Sequence, residues 1–100
     1  MSDKYVYLFI RKDLSVQQQI IQTAHVNHQM AVNLEDREMP NAVLIGADDL
    51  LHLQDISDHL SVYGVEHEVF FEPDINEITA IATYPLAGDS RKPLRIFRTM

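Results

Sequence analysis

The chain has no cysteine. There is therefore no disulfide framework and no thiol nucleophile, a usage that fits a reducing, cytoplasmic compartment. Glycine is nearly missing as well: the three residues are never clustered, so no glycine-rich phosphate loop can form, and no G-x-S-x-G elbow is present. These gaps argue against covalent catalysis and leave water activation as the reaction within reach. Basic residues are few. Eight Lys and Arg against fifteen Asp and Glu give a net charge of −7, which counts against indiscriminate nucleic-acid binding, because that binding relies on cations displacing counterions from phosphates. The apolar runs are too short to cross a bilayer. Ser2-Asp3-Lys4 precedes only six apolar or aromatic residues, which is no secretory signal, so no membrane partner is expected.

What is present suits one domain spanning residues 1–100. Tyr5–Ile10 is aromatic and β-branched on both faces, as in a central strand covered by helices on each side. Asp13 or Ser15 can cap a helix over Val16–Leu34. Ile20, Ile21, Ala24, Ala31 and Leu34 would form its apolar face, with Gln18, Gln22, His25 and Gln29 as a neighbouring stripe. Pro40 ends the charged run that follows. Ala42–Ile45 reads as a second strand. Asp48 or Asp49 starts a helix carrying Leu50, Leu53, Ile56 and Leu60, and Gly64 sits at its left-handed end. Val65–Phe71 and Ile78–Tyr84 read as strands joined by the turn Glu72–Asn76, and Leu94–Phe97 as a short fifth strand at an edge. The order β-α-β-α-β-β predicts an α/β fold: one mixed sheet of four to five strands with helices packed on it, parallel across the crossovers and antiparallel at the last hairpin.

Among the side chains, His25 is the catalytic candidate, because an imidazole can take and return a proton near neutrality. The plainer alternative is a half-buried histidine bonded to a glutamine. His25 and His28 could share an ion at i, i+3, but no metal motif surrounds them, and neither a metal nor a cofactor is expected. His52, His59 and His67 read as surface or core-edge residues. Asp13 is either a cap beside Arg11 or a carboxylate that orients a water or a histidine. Glu72, Asp74 and Glu77 are either turn residues or part of the same site. The turns after the first and third strands should leave one sheet edge, where α/β proteins hold ligands. Asp13, Gln22 and His25 are therefore expected to line one concavity with part of Glu72–Asn76.

These residues resemble a known family. Arg11-Lys12-Asp13-Leu14 after a strand, Gln22-Thr23-Ala24-His25 in the next helix, and TAIATYP from Thr79 to Pro85 are similar to the type 2 peptidyl-tRNA hydrolases. That family carries an R-x-D-L turn, a helix with A-Q-x-x-H-A, a D-A-G-R-T turn and a strand ending T-x-x-x-x-x-P. The order of elements matches over nearly the whole chain. The resemblance implies hydrolysis of the ester between a peptide and tRNA. Asp13 would orient His25 or a water, with Gln22 beside them, and His25 would act as general base. Arg11 and Lys12 would meet tRNA phosphates, and Glu72 or Asp74 would stand in for the family's acid on the substrate-binding rim. Two stretches depart from the pattern. The lysine-bearing K-M-x-x-G-K turn is replaced by Ser15-Val16-Gln17-Gln18-Gln19, and D-A-G-R-T by Glu72–Glu77.

Two other functions fit the same scaffold: a catalytically inactive descendant that binds a protein or small ligand, and a hydrolase for a less anionic substrate. Basic surface around Arg11 with a cleft holding His25 and Asp13 would favour peptidyl-tRNA hydrolysis. A filled cleft, or an exposed apolar patch elsewhere, would favour the binding module. A homodimer is left open.

Overall fold

Four strands form one mixed sheet in a computed structural model that describes residues 2–99. The elements are β1 (Tyr5–Arg11), α1 (Val16–Ala31), β2 (Asn41–Ala47), α2 (Leu50–Val62), β3 (His67–Glu72) and β4 (Glu77–Thr83), followed by a 3₁₀ segment, Gly88–Leu94. β1 pairs parallel with β2 and antiparallel with β4, and β4 pairs antiparallel with β3. β1, β2 and β3 therefore run the same way, and the turns after β1 and β3 leave one edge.

β1 is central because both its faces are apolar. Tyr7 and Phe9 join Ile45, Leu53, Ile56, Leu60 and Ile81 under α2. Val6, Leu8 and Ile10 join Val26, Met30, Ala80 and Ala82 under α1. Local signals set the helix ends. Ser15 caps α1 by accepting from the Gln18 N–H at 3.1 Å, and Asp49 caps α2 through the His52 N–H at 2.9 Å. After α2, Gly64 at φ 69° turns the chain. The Val65 N–H then reaches the Leu60 carbonyl and the Gly64 N–H that of Ser61, the Schellman arrangement that only a residue free to adopt positive φ forms readily.

Two expectations are corrected. α1 does not bury Ile20 and Ile21, which are 66% and 44% exposed; it buries Gln22, Val26 and Met30. The rotation follows from polar tethers. Gln22 bonds Thr79 and Glu72, and Gln29 bonds Glu68 and the Val69 carbonyl, which turns the glutamine stripe towards the sheet. Leu94–Phe97 is not a fifth strand. It ends the 3₁₀ segment and turns Phe97 onto Phe9, edge to face at 5.1 Å, and the closing segment pairs with β2 in a single isolated bridge among the described residues, Thr99–Ile45. No helix among the described residues is long and apolar enough to cross a membrane.

Candidate functional site

The turn after β1 is built around Arg11. Its side chain is only 7% exposed. Nε and one terminal nitrogen donate to the two Asp13 oxygens at 3.0 and 2.8 Å. The other terminal nitrogen donates to Glu77 at 2.7 Å and to the Ile78 carbonyl at 3.0 Å. This fork ties the β1–α1 turn to the start of β4, and bidentate geometry of this kind is specific as well as strong. The hydrogen bonds from Arg11 hold the Asp13 carboxyl below the usual carboxylate range, and those to Asp13 and Glu77 raise the guanidinium pKa. Asp13 is thus a poorer base than an ordinary carboxylate, and Arg11 is not a free docking cation.

Beside this clamp, the Thr79 hydroxyl donates to Gln22 Oε1 at 2.8 Å, and Gln22 Nε2 donates to Glu72 at 2.9 Å. The second Glu72 oxygen accepts from the Asp74 N–H at 3.1 Å. The Gln22 amide, then the Asp74 N–H and, less strongly, nearby His25 lower the Glu72 pKa. Gln22, Glu72, Asp74 and Thr79 border a hollow of about 140 Å³ with Leu14, Gln18 and Ile75. His25 is exposed and stacks on Phe70 with ring centroids 5.0 Å apart. The expected concavity therefore gathers Gln22, Glu72 and Asp74. Asp13 and His25 are both absent from its lining: the Asp13 carboxylate is turned to Arg11, and the His25 ring lies on Phe70. Every buried side-chain polar atom among the described residues has a partner, and no group of three potential metal ligands converges among them.

The buried end of this network yields a prediction. Thr79→Val removes the donor to Gln22 Oε1 and leaves a buried acceptor unmatched, which should cost about 1–2 kcal/mol. Urea unfolding measures it; an unchanged midpoint would mean the bond contributes nothing.

The other cations are mostly engaged. Lys4 pairs with Asp36 at 2.9 Å, Lys12 with Asp48 at 3.2 Å and Lys92 with Asp89 at 3.4 Å. Arg91 lies 3.5 Å over the Tyr5 ring and donates to the Tyr7 hydroxyl at 2.8 Å.

A larger cleft, about 540 Å³, opens at the same edge on the α2 side, between Lys12, His52 and Arg98 over Ile45, Ile56 and Phe97. The Lys12 stem crosses Gly46 so closely that a Cβ there would come within 2.6 Å of Lys12 Cδ. His52 Nδ1 accepts from the Asp48 N–H at 2.9 Å, so in the neutral ring Nε2 carries the proton. In sequence His52 reads as a surface or core-edge residue, and no motif singles out Arg98. The available signal was the i, i+4 spacing of Asp48 and His52 just past a strand that ends in Gly46-Ala47.

No family model matches the chain, and no curated protein matches it. Among solved structures, the chain is similar to a protein of unknown function from Agrobacterium tumefaciens strain C58. The TM-score is 0.68 with 15% identity, covering 100% of this chain and 99% of the other. That likeness is one of fold alone. The resemblance to type 2 peptidyl-tRNA hydrolases rests on the motif residues themselves.

Proposed function

We propose that the chain is a binding module rather than a hydrolase, and that it takes a small anion with an apolar body into the cleft between Lys12, His52 and Arg98. The observation that carries this reading is the Arg11 clamp. The Arg-x-Asp motif is spent on structure, its cation matched by Asp13 and Glu77. The hollow beside Gln22 is small and rimmed by carboxylates, a poor berth for a polyanion. The larger cleft lies within the range of small-molecule sites, roughly 300–1,000 Å³. Its isoleucines and Phe97 offer an apolar floor. Lys12 and Arg98 supply charge, and an incoming anion would displace Asp48 from Lys12.

The test is an NMR titration with phenyl phosphate beside inorganic phosphate. Phenyl phosphate should saturate with a Kd of about 0.1–1 mM and shift the amides of Gly46, His52 and Thr99, with inorganic phosphate weaker. The double substitution Lys12→Ala with Arg98→Ala should weaken binding by about 10-fold or more. Absence of saturable shifts, or full affinity in the double variant, would remove this reading.

One observation favours a second reading, hydrolysis of a peptidyl-tRNA-type ester or a less anionic one. His25 stands beside the Glu72–Gln22–Thr79 network. There Glu72, rather than Asp13, would orient His25 or its water.

A further inference from the structure

On the face opposite the cleft, α1 covers only part of the sheet. A helix is about 10 Å across and strands lie about 4.8 Å apart, so one helix shields roughly two strands. α1 sits towards β4 and β3, which leaves a strip above β1 and β2. Leu8 and Ile10 form its floor, and Val16, Ile20 and Leu44, at 71%, 66% and 40% exposure, form its sides. At Leu8 and Asn27 it borders a second hollow, beside Ala31, Leu34 and Ala42, whose rim carries Asp36, Arg37 and Glu38 and which lies outside the uncharged strip.

We propose that this strip is the contact between two copies of the chain, related by a two-fold axis, with α1 of each copy lying against the partner's α1 and β2. Charge decides the occupant. The chain carries −7, so two copies repel wherever their charged surfaces meet. The strip from Val16 to Leu44 is lined without a single charged side chain, and there a second copy meets no opposing carboxylate. A basic partner attracted by the net charge would find no counter-charge in it. The helix pattern suits a symmetric contact as well. Val16, Ile20 and Ala24 form one i±4 ridge, and Gln19, Thr23 and Asn27 the next, the arrangement that interdigitates in helix pairs. Ala24 allows close approach. The Asn27 amide carries both donor and acceptor and makes no hydrogen bond among the described residues, so two copies of it can pair across the axis. α1 is about 24 Å long, which gives a contact at the small end of stable interfaces and a dissociation constant on the order of 10 µM.

Sedimentation of the whole chain tests this. The wild type should be mainly dimeric at about 200 µM and mainly monomeric at about 1 µM, and added salt should tighten the dimer by screening the like charges. Ile20→Glu, at an exposed position that the fold does not use, should raise the dissociation constant by about 100-fold or more, since it desolvates an unpaired carboxylate of each copy in an uncharged contact. Val62→Glu adds the same charge at an exposed site on α2, on the other side of the sheet, and should leave the dimer intact. A wild type that stays monomeric at about 200 µM would overturn the proposal. So would an Ile20→Glu protein that dimerises like the wild type, or a Val62→Glu protein that dissociates as readily as Ile20→Glu. The strip and the cleft lie on opposite faces of the sheet, so either proposal can fail without the other.

Discussion

Phe9→Ala is expected to destabilise the domain by about 3–5 kcal/mol, the usual cost of deleting a fully buried ring. Phe9 has no exposed surface. It sits mid-strand in β1, opposite Ile45 of β2 and Ile81 of β4, and its ring is the surface against which Phe97 packs edge to face. The loss would therefore loosen the closing segment as well as the sheet. For a domain of 100 residues, with total stability of roughly 5–15 kcal/mol, that is a large share. Urea unfolding should show a lower midpoint with an unchanged slope. Phe71→Ala makes the comparison, because Phe71 is 49% exposed and should lose no more than about 1 kcal/mol. Equal losses at the two positions would mean that β1 is not the centre of the core.

Arg11→Leu should cost about 2–4 kcal/mol near neutral pH. Removing one member of a buried ion pair leaves the others uncompensated, which alone costs about 3–5 kcal/mol when they are fully buried. Asp13 and Glu77 keep 38% and 39% of their side-chain surface exposed, so water recovers part of that loss. The pH dependence has a definite sign. The folded Asp13 pKa is depressed, chiefly by hydrogen bonding from Arg11. Its contribution is therefore complete above the unfolded value of about 3.9 and disappears as pH falls through the lower folded value. Wild type should lose stability on acidification below about pH 4, and the gap to Arg11→Leu should narrow over the same range. A gap that stays constant through that range would show that the clamp is not electrostatic.

Much of the fold was legible because its signals are local. A strand apolar on both faces must be central, and β1 is. Gly64 marks a helix end by its freedom to adopt positive φ. The helix starts narrow to Asp13 or Ser15 and to Asp48 or Asp49, of which the structure uses Ser15 and Asp49, and the β3–β4 turn was visible within Glu72–Asn76. What failed depended on contacts remote in sequence. The face of α1 was read from Ile20 and Ile21, yet its rotation is set by the bonds from Gln22 to Thr79 and from Gln29 to Glu68, 57 and 39 residues apart. Arg11 looked like a docking cation because Glu77, 66 residues away, cannot be seen beside it in sequence. Leu94–Phe97 carries strand-like residues, but Phe97 is drawn inward by Phe9. The grouping of Gln22 with Glu72 and Asp74 was legible from strand direction. The cleft at His52 and Arg98 was not, since the closing segment folds back onto β2 only in three dimensions.

The binding-module reading turns on whether the residues shared with the peptidyl-tRNA hydrolase pattern still perform chemistry. The most direct measurement is hydrolysis of peptidyl-tRNA at low salt, where electrostatic docking is strongest, with wild type beside His25→Ala. The two proteins should be indistinguishable from each other and from the uncatalysed rate. Turnover by the wild type that falls by about 10²-fold or more in His25→Ala, the scale of a lost acid–base partner, would contradict the account and restore the enzyme.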